Sequence, residues 1–205
     1  MSLREEKKQQ ARQDILTAAR DLIDQHGYDQ AKMRDIAASA RLSYQTLYNY
    51  FPTKALILQA LLVQDMAHLA AQFDELVAEH AAGKRALLAT LHAIYEADMD
   101  AIAQRDRELW RVVAVDFINQ EGEAAHIYQL IDATSHDTLM GLLTAAQTNG
   151  ELTDSANVTL LADTLFAISH HTVWRYIMEP GTAKGVLLEA LEAQTELLVQ
   201  PYLVR

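Results

Sequence analysis

Five side chains in one short stretch, Tyr44, Gln45, Thr46, Tyr48 and Asn49, carry hydroxyl or amide groups and no charge. At about 100° per residue, Tyr44, Gln45, Tyr48 and Asn49 share one arc of a helix, with Thr46 at its boundary. Ser43, Leu47, Tyr50 and Phe51 fall on the opposite side. Amides hydrogen-bond base edges, and Tyr and Thr hydroxyls reach phosphate oxygens or bases. The chemistry on offer is recognition of a nucleic-acid groove. A short amphipathic connector in a helical bundle has the same periodicity, so the pattern alone leaves both readings open.

These residues need elements to hold them. Seven glycines and three prolines punctuate a chain rich in Ala, Leu, Gln and Glu, and no long run alternates apolar with polar. That composition predicts an all-α fold of about nine helices. The first is expected over Glu5–His26, with Ile15, Ala18, Ala19, Leu22 and Ile23 as its apolar stripe and Gly27 as its stop. Two short helices follow, Met33–Ala40 and Ser43–Phe51, joined by a tight turn. A longer helix ahead of such a pair is helix-turn-helix geometry, with Leu47 and Phe51 packing on Ile36, Ala37 and Ala40. Pro52 ends the pair, and Thr53 can cap a long helix over Lys54–Ala82. Further helices are expected over Lys84–Ala103, Asp106–Phe117, Glu123–Thr148, Ser155–Met178 and Ala183–Val199.

Charge divides the chain in the same place. The formal net charge is −11, yet residues 1–54 hold nine Lys or Arg against seven Asp or Glu. That segment is +2 and the remainder −13, so phosphate can be met locally while an acidic body faces away. The chain has no cysteine, which excludes disulfides, thiolate metal sites and thiol redox sensing. Arg4-Glu5-Glu6-Lys7-Lys8 lacks a following apolar core, so no secretion signal is expected. The apolar runs Ala55–Leu58 and Ala60–Val63 fall far short of a membrane span, and a cytoplasmic protein with no membrane partner is expected.

The pattern Ile36-Ala37-x-x-Ala40-x-Leu42-Ser43-x-x-Thr46-Leu47-Tyr48-x-Tyr50-Phe51-Pro52-x-Lys54 resembles the N-terminal signature of the TetR family of transcriptional regulators, over about residues 10–60. The resemblance implies a helix-turn-helix domain over 1–53 and a ligand-binding and dimerisation domain over 54–205. It implies a homodimer on a palindromic operator in double-stranded DNA, and most plainly a repressor released by a small-molecule effector, with no cofactor. Residue by residue, Ser43 would cap the reading helix, and Tyr44, Gln45, Thr46 and Asn49 would face bases or adjacent phosphates. Tyr48 and Tyr50 match positions that touch the DNA backbone, and Lys54 matches the phosphate-binding lysine at a helix start. Two positions depart from the family. Ala31-Lys32-Met33 lacks the hydroxyl usual at the start of the second helix, so Lys32 replaces the phosphate contact but not the cap. The inter-helix turn reads Ala40-Arg41-Leu42 without glycine, so a left-handed Arg41 would cost on the order of 1 kcal/mol and turn its charge outward, toward DNA.

The acidic body holds no enzyme motif, and no catalytic role is expected. Met66, Tyr95, Trp110, Phe117, His170 and Trp174 combine apolar bulk with polar tips, as an effector cavity requires, although such residues at helical spacing also build ordinary cores. Asp65-x-x-His68 and Glu123-x-x-His126 each set a carboxylate and an imidazole on one helical face, but only one true Glu-x-x-His is present where helical di-iron sites use two. No metal is expected. The stripes Val158, Leu161, Leu165 and Leu187, Leu191, Leu198 are the expected dimer surface, unless each packs within its own subunit. Two rival readings remain: the same fold controlled by a protein partner without a small effector and, remotely, a helical-bundle metalloenzyme.

Overall fold

Ser2 and Glu5 open the first helix reciprocally. The Ser2 hydroxyl accepts from the Glu5 amide while the Glu5 carboxylate accepts from the Ser2 amide at 2.7 Å, so α1 (Leu3–His26) starts two residues before Glu5. The helix stops at Gly27, whose φ of 80° suits a residue without Cβ. Helices α2 (Met33–Ser39) and α3 (Tyr44–Tyr50) follow, and then the long α4 (Lys54–Ala81), whose first turn is capped by the Thr53 hydroxyl accepting from the Leu56 amide. The computed structural model describes residues 2–105, 107, 109–111 and 123–204. Of the helix expected over 106–117, only 107 and 109–111 are described, and these are helical; the rest lies outside the described residues.

Residues up to Asp65 form one compact unit, whose core joins Ile15, Leu16 and Ala19 of α1 to Ile36 and Ala37 of α2, Leu47 of α3, and Ile57 and Leu61 of α4. The first turns of α4 thus belong to this unit, past the expected boundary at Thr53, because Ile57, Ala60 and Leu61 close its core. An Arg20–Asp65 ion pair at 2.7 Å and a Gln64–Gln13 hydrogen bond at 3.0 Å tie α4 to α1. By length and composition α4 could cross a membrane. Its apolar residues have another cause: Ile57, Leu58, Leu61, Leu62, Leu69 and Phe73 are all buried in the protein.

The second unit contains α5 (Leu87–Ala103), α6 (Glu123–Thr148) from Tyr128 onward, α7 (Val158–Met178) and α8 (Lys184–Val199), with a 3₁₀ turn over Gln200–Tyr202. Gly83 at φ 69° and the Lys84 amide, bonded back to the Glu79 carbonyl, finish α4, so Lys84–Ala86 is connection rather than helix. Asn157 caps α7 by accepting from the Leu160 amide at 3.1 Å, which sets its start at Val158 and not Ser155. Glu151, between α6 and α7, carries three attachments. One carboxylate oxygen accepts from the Leu87 amide at 2.7 Å at the uncapped start of α5, the other meets His80 Nε2 at 2.8 Å, and its carbonyl accepts from Val204 at 2.9 Å.

Of the stripes expected at a dimer surface, most residues pack within the chain itself. Leu165 is 0% exposed, Leu187 and Leu191 2% and Leu161 7%, all inside one subunit, while Val158 and Leu198 are half-buried. The most apolar side of an amphipathic helix goes to its own core first. What one chain leaves outside is a second, weaker stripe on each helix. On α7 it runs through Leu160, Thr164, Ala167, His171 and Met178, and on α8 through Val186, Ala190, Ala193 and Leu197. Leu160 and Val186 are each 62% exposed and Leu197 76%.

Candidate nucleic-acid interface

Helix α3 is built to present one face. Ser43 stands outside it with extended backbone, and its hydroxyl accepts from the Thr46 amide at 3.0 Å. Leu47 and Phe51 sink into the core beside Ile36 and Ala37. Tyr44, Gln45, Tyr48 and Asn49 are consequently exposed together. The two tyrosine rings lie 6.5 Å apart, tilted, and the Gln45 amide donates to the Asn49 carbonyl at 3.2 Å. This face presents hydroxyls, amides and aromatic edges with no formal charge, which suits base edges within a groove.

The other expected DNA-contacting residues separate into distinct local settings. Thr46 is half-buried, its hydroxyl 2.7 Å from that of Ser43, so both groups first serve the cap. Tyr50 packs partly against the core. Lys32 is exposed at the start of α2 and makes no side-chain cap, as the missing hydroxyl implies. Lys54 is half-buried: its ammonium donates to the Tyr28 carbonyl at 2.6 Å and more weakly to that of Asp29, and it lies 4.1 Å from the centre of the Tyr28 ring. Burial lowers the Lys54 pKa, opposed by the nearby Asp29 carboxylate. Its first role is therefore to fasten the α1–α2 connection to the head of α4. Arg41 adopts φ 57°, the left-handed conformation expected of it. It lines a cleft of about 340 Å3 with Asp14, Thr17 and Asp21 of α1 rather than sharing the exposed face of α3.

The effector candidates also separate. Tyr95 is 2% exposed, its phenol oxygen accepting weakly from Thr195, and burial pushes its pKa up to about 12. Trp110 is buried, with its indole N–H donating to the Ile102 carbonyl at 2.9 Å, close to the end of α5. The one donor of Trp110 is spent on the fold, so its indole N–H is not a free handle for a guest. Met66 is half-buried, and Phe117 lies outside the described residues. His170 and Trp174 stack at 6.2 Å on α7, continuing a half-exposed row from His136 and Phe166. A groove of about 550 Å3 between α4 and α5 takes in none of these candidates; its walls carry Glu75, Glu79, Glu96 and Asp100. Two of those carboxylates are paired, Glu79 with Arg85 and Asp100 with Lys184. Among the described residues, no group of three His, Asp or Glu is placed to hold a metal ion.

Comparison with known proteins agrees with this geometry. Residues 15–61 match the family model for bacterial regulatory proteins of the tetR family. A helix-turn-helix-type transcriptional regulator, UidR of Escherichia coli K12, is 37% identical over 67 residues, which is 33% of this chain. The match spans about a third of that relative's length, 34%. The fatty acid metabolism regulator protein of Bacillus subtilis is 25% identical over 185 residues, covering 90% of this chain and 92% of that protein. Two solved structures share the fold. FadR from Bacillus subtilis in complex with stearoyl-CoA has a TM-score of 0.66 at 24% identity, covering 91% of this chain and 97% of that one. FadR from Thermus thermophilus in complex with lauroyl-CoA has a TM-score of 0.66 at 22% identity, covering 95% and 96%.

Proposed function

We propose that this chain, whose residues 15–61 match the tetR family model, is a homodimeric repressor of that family that binds a palindromic DNA site and leaves it when a small molecule binds residues 54–205. The observation that carries the DNA-binding part is the face of α3: four adjacent uncharged hydrogen-bonding side chains, exposed together and held by a Ser43 cap and a Leu47 anchor. Dimerisation follows from the exposed second stripes of α7 and α8. Paired about a twofold axis they would bury Leu160, Val186 and Leu197, which one chain leaves in water.

An acyl-CoA is the effector class to test first, because two structures of the same fold hold stearoyl-CoA and lauroyl-CoA. The α4–α5 groove, whose described walls set Glu75, Glu79, Glu96 and Asp100 against the single cation Arg85, suits the phosphates of CoA poorly. Capture of genomic fragments by the purified protein, followed by anisotropy titration of the captured duplex with and without acyl-CoAs of graded length, tests the whole reading. Specific fragments are expected, with release by one range of chain lengths. Coupling must be reciprocal: DNA should weaken acyl-CoA binding by the same factor, usually about 5- to 150-fold. Specific DNA binding unaffected by any acyl-CoA would remove this effector class. No specific fragment would remove the function.

A further inference from the structure

Resting on the reading of α3 as the DNA-reading helix, we propose that Gln45 reads an adenine in each half of the DNA site and that Asn49 is the positioning residue that holds the Gln45 amide for it. Helix α3 has neither acidic nor basic residues within Tyr44–Tyr50. Guanine presents two acceptors in the major groove, which Arg or Lys satisfies, and the cytosine amino group is matched by a carboxylate. Adenine presents one acceptor, N7, beside one donor, N6, and a single amide matches both.

Two amides stand on the exposed face, one helical turn apart, and they are already joined. Gln45 Nε2 donates to Asn49 Oδ1 at 3.2 Å. That bond uses one of the two N–H groups of Gln45. Gln45 keeps Oε1 and its second N–H, the acceptor and donor that adenine requires. A side chain held in this way loses less rotamer entropy on binding than a free one. Asn49 keeps its own two N–H groups for a neighbouring phosphate or base. Of the flanking basic residues in sequence, Arg41 lines the cleft with Asp14 and Asp21, and Lys54 is bonded to the Tyr28 carbonyl.

The test is selection of binding sites from a randomised duplex library by the full-length protein, followed by affinity measurements on the selected site. An A·T pair is expected at one fixed position in each half-site. Replacing it by G·C, or its adenine by 7-deazaadenine, which pairs normally but lacks the N7 acceptor, should each weaken binding roughly 5- to 150-fold. Gln45→Arg should move the preference at that position alone to guanine, and Gln45→Glu should move it to cytosine. Asn49→Ala should flatten discrimination at the same position; discrimination that survives intact removes the positioning role. All these side chains are exposed, so the variants should fold, which circular dichroism checks. An enriched site without a required adenine, insensitivity to 7-deazaadenine, or a profile unmoved by Gln45→Arg overturns the proposal while leaving DNA binding standing. A library with no enrichment at all overturns the DNA-binding reading itself.

Discussion

Arg41 is the only non-glycine residue with positive φ among those described, so the turn between α2 and α3 stores strain that its neighbours do not. Arg41→Gly should stabilise the protein by roughly 0.5–1 kcal/mol, the relief of that strain less the added flexibility of the unfolded chain. Urea denaturation measures it, and a destabilised variant would mean the guanidinium contributes more in its cleft than the backbone costs. Ser43→Ala should act the other way, by about 1 kcal/mol, since one hydroxyl serves the first turn of α3. Tyr95 gives a pH signature. Its pKa rises from about 10 when unfolded to about 12 when buried, because the phenolate is penalised there. The unfolded chain therefore ionises first. Its contribution to stability is complete below pH 10 and is lost progressively between 10 and 12. Stability curves of the native protein and Tyr95→Phe over that range should converge only if this residue causes the slope.

Helices were more legible than the partners they choose. The N-terminal elements could be read because their signals are local: Leu47 and Phe51 alternate with the reading face, Ser43 precedes it, and Pro52 ends it. On α7 and α8 the strongest periodicity marks the side that one chain buries itself. Leu165 and Leu191 mark the strongest stripe, and one chain consumes that stripe itself; the outer stripe, with Ala190 and Ala193 between Val186 and Leu197, is too weakly apolar to compete in sequence. Trp110 and Tyr95 illustrate the other limit. Their polar partners, the Ile102 carbonyl and Thr195, are set by packing rather than by spacing. The two stripes make separable predictions. Leu197→Glu changes an exposed residue and should give folded monomer in sedimentation, with DNA affinity reduced. Leu165→Ala should instead leave assembly intact and cost about 2–5 kcal/mol of stability, because it empties a fully buried site. A dimeric Leu197→Glu variant would place the interface elsewhere.

At the scale of the whole molecule, a chain of net charge −11 must approach a polyanion through its +2 segment. Affinity should fall steeply with salt as phosphate contacts release counterions, and Lys32→Ala should reduce the slope of log K against log salt by about one unit, equally for every DNA sequence. Titrations at several salt concentrations check this; an unchanged slope would show that Lys32 meets no phosphate. The attachments of Glu151 have a consequence of a different kind. The last residues of the described chain hold it through the Val204 amide, the Leu152–Leu203 bridge and the Thr153 amide bonded to the Tyr202 carbonyl, and its carboxylate holds His80 and the start of α5. Residues 202–204 thus help to fasten the second unit. Exchange-protected amides at Thr153 and Leu87 should open together when residues 200–205 are removed, and a cargo protein fused there would pull on the knot that keeps the bundle closed.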